Sequence, residues 1–323
     1  MSIIDKIKSI ECVKIIPTDK TNKDNWLELR EGTVGGSEIG ILFGENKYKH
    51  ERLLFAEKAG DIKTEKISNP AIYLGTVMES HIASLWEHYN PKTKDVNEMH
   101  KNLSNGTKIR ELHTLDGYIQ NTNFPYLQGE TDGFFFEGDD LCILEIKTQS
   151  GFVFKANNEE PPLSYLLQIQ SYMALTNAKR AELVMLIDGV DFRVFNVERN
   201  DEVIEAIKHR VIDFYEKVLE YKETKDENLL PPVDESDACD KSMDAFYKAK
   251  KGNTRKATTE EEELMSQYLV FMEESDALKS KMNLVRNTLK DSLKEDESII
   301  KDKLKCSWSK TKVGLRFQVK RLK

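Results

Sequence analysis

Asp132, Glu145 and Lys147 are the residues whose types and spacing suit this chain for chemistry. Asp132 precedes the aromatic run Gly133-Phe-Phe-Phe136, and Glu145 interrupts the apolar run Leu141-Cys-Ile-Leu-Glu-Ile-Lys147. Glu137-Gly-Asp-Asp140 between them is turn chemistry, so the stretch reads as a β-hairpin. A loop of two or four residues puts Asp132 directly opposite Glu145. Facing Cβ atoms on antiparallel strands lie about 5 Å apart, and two carboxylates at that distance repel unless a proton or a cation separates them. Side chains at i and i+2 share a strand face, so Lys147 joins Glu145. Carboxylate oxygens suit Mg²⁺ or Mn²⁺, and an adjacent ammonium suits a water and a phosphate. Metal-assisted phosphodiester hydrolysis is the chemistry this implies. A plainer reading is a solvated strand face, since the same Glu-x-Lys pattern recurs at Glu223-Thr-Lys225 in a polar helix end. Only the first copy interrupts an apolar run and has an acid at the matching register.

Several elements have to hold these groups in place. A helix is expected from Pro70 to Tyr89, with Met78, Ile82, Leu85 and Tyr89 on its core face. Glu79 shares a face with Ile82, Ala83 and Trp86, so it is expected to point partly inward and to need a partner. After Pro161-Pro162, spacings of three and four place Tyr165, Gln168 and Tyr172 on one stripe of another helix. That stripe suits a water and a DNA backbone, or equally an ordinary amphipathic helix. Gly35-Gly36-Ser37 reads as a tight turn with Ser37 capping the next helix. With Arg30 it makes a candidate phosphate clamp, against the simpler alternative of an N-cap alone. Residues 92–108 read as polar loop, 110–120 as a strand, 181–187 and 191–197 as a hairpin, and 201–221 as a helix. Together these predict an α/β (α+β) core of mixed sheet and packed helices.

At 323 residues and 39% hydrophobic content, the chain has room for about two domains and a proper core. Its longest apolar run, Leu183-Val-Met-Leu-Ile187, is too short for a membrane span, and Met1-Ser-Ile-Ile-Asp-Lys lacks the order of a signal peptide. A cytoplasmic location is the expectation. Cys12, Cys142, Cys239 and Cys306 are scattered without ligand spacing, which argues against zinc and iron–sulfur clusters. The net charge is −8, yet residues 301–323 carry nine Lys or Arg against one Asp. A polyanion would therefore be held by local basic patches. Pro231-Pro232 and the acidic stretch after it predict a boundary, giving domains 1–228 and 229–323. Thr258-Thr-Glu-Glu-Glu opens a long helix with capping-box spacing. Its residues Leu264, Tyr268, Phe271, Leu278, Met282, Val285 and Leu289 form a heptad seam broken at Ser275, as in a helical arm or partner helix. The closing segment, with Trp308 and Phe317 among Lys and Arg, predicts a basic β-hairpin. It suits base stacking and phosphate contact, or a solvated or protein-docking element.

Five motifs in order from Trp26 to Tyr221 resemble the lambda-type (YqaJ-like) phage recombination exonucleases of the PD-(D/E)XK nuclease superfamily. They are Trp26-x-x-x-Arg30 with Gly35-Gly36-Ser37, Gly75-Thr76-x-x-Glu79, Asp132-Gly133, Glu145-x-Lys147, and Tyr165-x-x-Gln168-x-Gln170-x-Tyr172-Met173. The resemblance implies a restriction-endonuclease-like core in which Glu79, Asp132, Glu145 and the Ile146 carbonyl hold Mg²⁺ (or Mn²⁺). Lys147 would orient the attacking water and Gln168 would assist there. Arg30 and Ser37 would take a DNA 5′-phosphate, with Tyr165, Gln170 and Tyr172 as further DNA contacts. It also implies 5′→3′ digestion of one strand of linear double-stranded DNA, a 3′ tail for a single-strand annealing protein, and a trimeric ring. Thr131 and Ser80 stand where prolines are common in the family, which puts local backbone geometry in question and removes no ligand.

Overall fold

The computed structural model describes residues 3–17, 32–63, 69–247, 252–311 and 314–322. They divide into two compact units, Met1–Lys248 and Ala249–Lys323. The expected boundary near residue 228 moves some twenty residues toward the C-terminus, because the segment after Pro231-Pro232 packs back on the first unit. Arg52 Nη1 donates to the Pro231 carbonyl at 3.0 Å, and its guanidinium lies over the Phe246 ring.

The sheet that matters most has β5 (Gly133–Glu137), β6 (Asp140–Gln149), β7 (Arg180–Ile187) and β8 (Asp191–Glu198) in that order. Gly138, at φ 60°, turns the chain between β5 and β6, and the ladder runs from Glu137↔Asp140 to Gly133↔Leu144. One step further along that register lie Asp132 and Glu145. Strands β6 and β7 are parallel, so the chain must cross over between them. It does so through α6 (Gly151–Ala156) and α7 (Leu163–Thr176).

Alternation along β6 divides its side chains between two layers. Cys142, Leu144 and Ile146 meet Ile82 and Trp86 of α4 (Pro70–His88), while Leu141 and Ile143 join the core with α7 and α8 (Asp201–Thr224). Trp86 sets its ring edge-on to Phe135, 5.0 Å between centroids. On this face the buried Glu182 accepts from Trp86 Nε1 and Arg110 Nη1, each at 2.7 Å, and from Arg180 Nη2 at 3.2 Å. Arg110 stacks 3.9 Å above the Trp86 ring centroid.

A second sheet, ordered β1 (Val13–Pro17), β3 (Gly117–Asn121), β4 (Leu127–Gly129) and β2 (Val34–Gly35), covers another side of α7. In the chain α1 (Ile3–Lys8) precedes β1, and α2 (Ile39–Leu42) and α3 (Glu51–Ala59) follow β2. Two sequence expectations change here. The polar stretch 92–108 contains α5 (Val96–Asn105), capped by Asp95 and closed by Gly106 at φ 68°. Val96, Met99 and Leu103 stand at the three- and four-residue spacing of one helix face between Asp95 and Gly106, so both the pattern and the capping residues were legible there. The strand expected over 110–120 shrinks to β3, with His113 forming only an isolated bridge to Phe134.

After α9 (Asp237–Phe246), the second unit holds α10 (Thr259–Leu293), whose capping box joins Thr258 and Glu261, and a three-stranded antiparallel sheet. That sheet is β9 (Ser298–Lys301), β10 (Leu304–Thr311) and β11 (Gly314–Arg321), one strand more than expected. Trp308 pairs with Phe317, and Lys290 of α10 lies 4.6 Å and 5.9 Å from their ring centroids. Lys305↔Lys320 and Ser309↔Arg316 occupy the alternate face. Lys310↔Leu315 and Leu304↔Arg321 share the face of the two aromatics, so basic groups stand on both faces of this sheet and the aromatic face is itself mixed.

Candidate active site

Glu145 is 1% exposed and sits at the centre of a polar cluster on the α7 side of β6. Its Oε1 accepts from Lys147 Nζ at 2.6 Å and from Gln168 Nε2 at 2.7 Å. Its Oε2 is buried with no hydrogen-bond partner. Leaving a carboxylate oxygen dry and unsatisfied is costly, so the site is shaped for something that satisfies it. Asp132 continues the β5 ladder past its last rung, where its Oδ2 accepts the Ile146 amide at 2.6 Å. Glu79 reaches this centre electrostatically from α4. It is exposed, which corrects the expectation of a partly inward acid. The expected groups Asp132, Glu145, Ile146, Lys147 and Gln168 are adjacent in this structure.

The protonation balance follows from this crowding. Burial pushes the Glu145 carboxyl up to about 8, the negative charges of Asp132 and Glu79 add to that, and Lys147 opposes it. Burial works against the Lys147 ammonium, but Glu145 and Asp132 outweigh it and hold the amine above its usual range. A carboxyl raised by burial and by its acidic neighbours, beside a lysine held charged, is an arrangement that a bound cation would relieve. The hard oxygen donors and the unsatisfied Oε2 fit Mg²⁺ or Mn²⁺.

Gln168 is itself held, with Nε2 2.8 Å from the Tyr172 hydroxyl. Tyr172 is a buried anchor. A Cβ on Gly36 would lie 2.3 Å from its Cε1, and one on Gly129 2.6 Å from its Cδ1. Two glycines thus let the Gly35-Gly36 turn and β4 close on the ring. The expectation of Tyr172 and Gln170 as DNA contacts is corrected by burial: Gln170 donates to the Glu198 carbonyl and accepts the Asn200 amide, pinning the entry to α8. Sequence spacing gave their helix but not which phenol stays open. Tyr165 is the half-buried one, its ring centroid 5.4 Å from Lys147 Nζ.

Ser37 is exposed and lies within the 3₁₀ turn Gly36–Glu38, so it is not the helix cap expected of it. Glu38 holds the N-cap position of α2, but its carboxylate turns back, accepting the Gly35 amide at 2.8 Å and pairing with the buried Lys58 at 2.9 Å. The Glu38–Lys58 pair had no signature in the sequence. Arg30 lies outside the described residues.

A second cluster, His50, Asp234 and Cys239, brings its ligand atoms within 4.8 Å of one another. His50 Nδ1, however, accepts the Arg52 amide, which places the imidazole hydrogen on Nε2, facing Asp234 at 3.3 Å. That nitrogen is a donor here, and the cluster is a helix cap tied to a carboxylate.

Residues 25–179 match the YqaJ-like viral recombinase domain family. That span is a little under half of the 323-residue chain. All of the site residues named above, from Glu79 to Tyr172, lie inside the matched span. Across nearly its full length the chain is also similar to the uncharacterized protein YqaJ of Bacillus subtilis (strain 168), at 26% identity over 307 residues, 94% of this chain and 88% of that protein. Among solved structures it is similar to an alkaline exonuclease, LHK-Exo, of Laribacter hongkongensis, with TM-score 0.48 and 20% identity over 64% of this chain and 97% of that one. A putative exonuclease of Eubacterium rectale gives TM-score 0.41 and 12% identity over 76% and 97%. The first unit has the mixed α/β core that the motifs implied.

Proposed function

We propose that this protein is a divalent-cation-dependent exonuclease that digests one strand of linear duplex DNA in the 5′→3′ direction and leaves a 3′ single-stranded tail. The observation that carries this reading is the buried Glu145 Oε2, without a partner, beside Asp132 and a charged Lys147. Asp132, Glu145, Glu79 and the Ile146 carbonyl would hold Mg²⁺ or Mn²⁺, which supplies Lewis-acid polarisation of a phosphodiester. Gln168 fixes Oε1 of Glu145, so Oε2 faces one direction only. Lys147 positions a water and offsets charge gathering on the phosphate. Ser37, with Arg30, binds the 5′-phosphate of the DNA end, and Tyr165, half-buried beside Lys147, contacts the same DNA.

The same reading makes linear double-stranded DNA the substrate and a single-strand annealing protein the partner that takes up the tail. It also makes a homotrimeric ring the working assembly and the host-cell cytoplasm the setting. Among the described residues, no helix is long and apolar enough to cross a membrane. The deciding experiment incubates the protein and Mg²⁺ with end-labelled linear duplex and with covalently closed circular DNA. The expected result is loss of the 5′-labelled end from linear DNA and an intact circle. Cutting of the circle makes it an endonuclease, and no cutting with any divalent ion makes it a DNA-binding recombination scaffold.

A further inference from the structure

Helix α10 leaves an apolar stripe open along its length. Leu264, Tyr268, Phe271, Leu278, Met282 and Val285 recur at the alternating intervals of a heptad seam, and each is 57–66% exposed. At 35 residues the helix is about 52 Å long, and helices of this kind gain most of their stability by packing such a face. The charges along it are sorted by sign. Residues 260–276 hold seven acids and no base, while 277–290 hold four bases and no acid.

We infer that α10 pairs with α10 of a second copy of this chain, antiparallel and in full overlap. A parallel pair would set the acidic halves side by side. The antiparallel pair sets each acidic half against a basic half. Overlap about the middle of the helix fixes the register: Leu264 faces Leu289 of the second copy, Tyr268 faces Val285, Phe271 faces Met282, and Ser275 faces Leu278. Each is the seam-to-seam match that antiparallel coiled coils require. The polar Ser275 falls in the central layers, and Glu274 flanks Lys281 of the second copy on both sides of the two-fold axis. Shifting the register by one heptad either way loses terminal layers, and in one direction it sets Glu274 against Glu274. This contact involves the second unit alone, so it is independent of any ring formed by the first.

The full-length protein tests this by disulfide trapping. A mixture of the Phe271→Cys and Met282→Cys variants is expected to form a 271–282 disulfide between chains on mild oxidation, while Phe271→Cys alone forms no 271–271 link. Sedimentation equilibrium supplies the second measurement. Glu274→Lys converts two attractive flanking pairs into repulsive ones and is expected to weaken this association about tenfold. Combining it with Lys281→Glu is expected to restore it. A 271–271 disulfide overturns the antiparallel pairing. A monomeric mass at micromolar concentration, association indifferent to both charge variants, or cross-links from α10 only to the chain's own first unit overturns the second copy as the occupant.

Discussion

Asp132 Oδ2 accepts the backbone amide of Ile146 at 2.6 Å, one position beyond the last backbone rung of the β5–β6 ladder. The aspartate thereby closes the open end of the hairpin and fixes its own carboxylate next to Glu145. It is both the last structural link of that pair and a negative charge of the centre. Removing it leaves a buried amide unpaired and lowers the repulsion on Glu145.

Asp132→Asn, Glu145→Gln and Lys147→Ala are each expected to reduce Mg²⁺-dependent degradation of linear duplex DNA by at least about 100-fold, because each removes a charge from the centre. Circular dichroism should show the fold retained. Wild-type rates in all three variants would remove the centre from the chemistry.

The raised Glu145 sets a pH dependence. Its folded value, about 8, lies above the ordinary 4.5, so the folded state holds the proton more tightly than the unfolded one. In the absence of cation, this group's contribution to stability is complete below about 4.5 and is lost as pH rises through about 8. Cation binding must displace the same proton, so Mg²⁺ affinity is expected to rise over that range. Thermal unfolding with EDTA and with Mg²⁺, for wild type and Glu145→Gln, checks both trends. The variant should lose the Mg²⁺-induced increase in Tm and should be the more stable protein at high pH without cation.

Gln168→Ala and Tyr172→Phe probe the support of Glu145. Gln168→Ala frees Oε1 from one of its two donors, and a loss of about tenfold in kcat with little change in duplex binding is expected. Tyr172→Phe keeps the ring between Gly36 and Gly129 and removes only the hydroxyl at Gln168, so its effect should be smaller. Gly36→Ala drives a methyl group into that ring, and a fall in stability of about 1–3 kcal/mol is expected from chemical denaturation.

Glu182→Ala should act on stability and not on chemistry. The variant leaves Arg110 buried beside Trp86 without its carboxylate, and Arg180 loses one of its acids. Removing one partner of a buried pair typically costs about 3–5 kcal/mol. At a temperature where the variant is folded, its nuclease rate per folded molecule should match wild type. A selective loss of activity would place this cluster in the site.

Amino-acid pattern alone reached far into this protein. The hairpin, its register and the shared face of Glu145 and Lys147 follow from strand period and turn length, which are local rules. So do the capping box and seam of α10. Which side chain of a helix stays open is settled by neighbours distant in sequence. Gln170 and Tyr172 sit on α7 as expected, yet the turn before α8 takes the first, and Gly36 and Gly129 enclose the second. Ser37 loses the cap because Glu38 reaches back to the Gly35 amide, and Lys58 from α3 holds that acid in place. Strand period puts Arg180 beside Glu182, but the cluster also draws on Trp86 and Arg110, which no periodicity connects to them. The unsatisfied Glu145 Oε2 likewise belongs to tertiary structure: pattern could say that two acids meet, but only packing decides which oxygen is left buried without a hydrogen-bond partner.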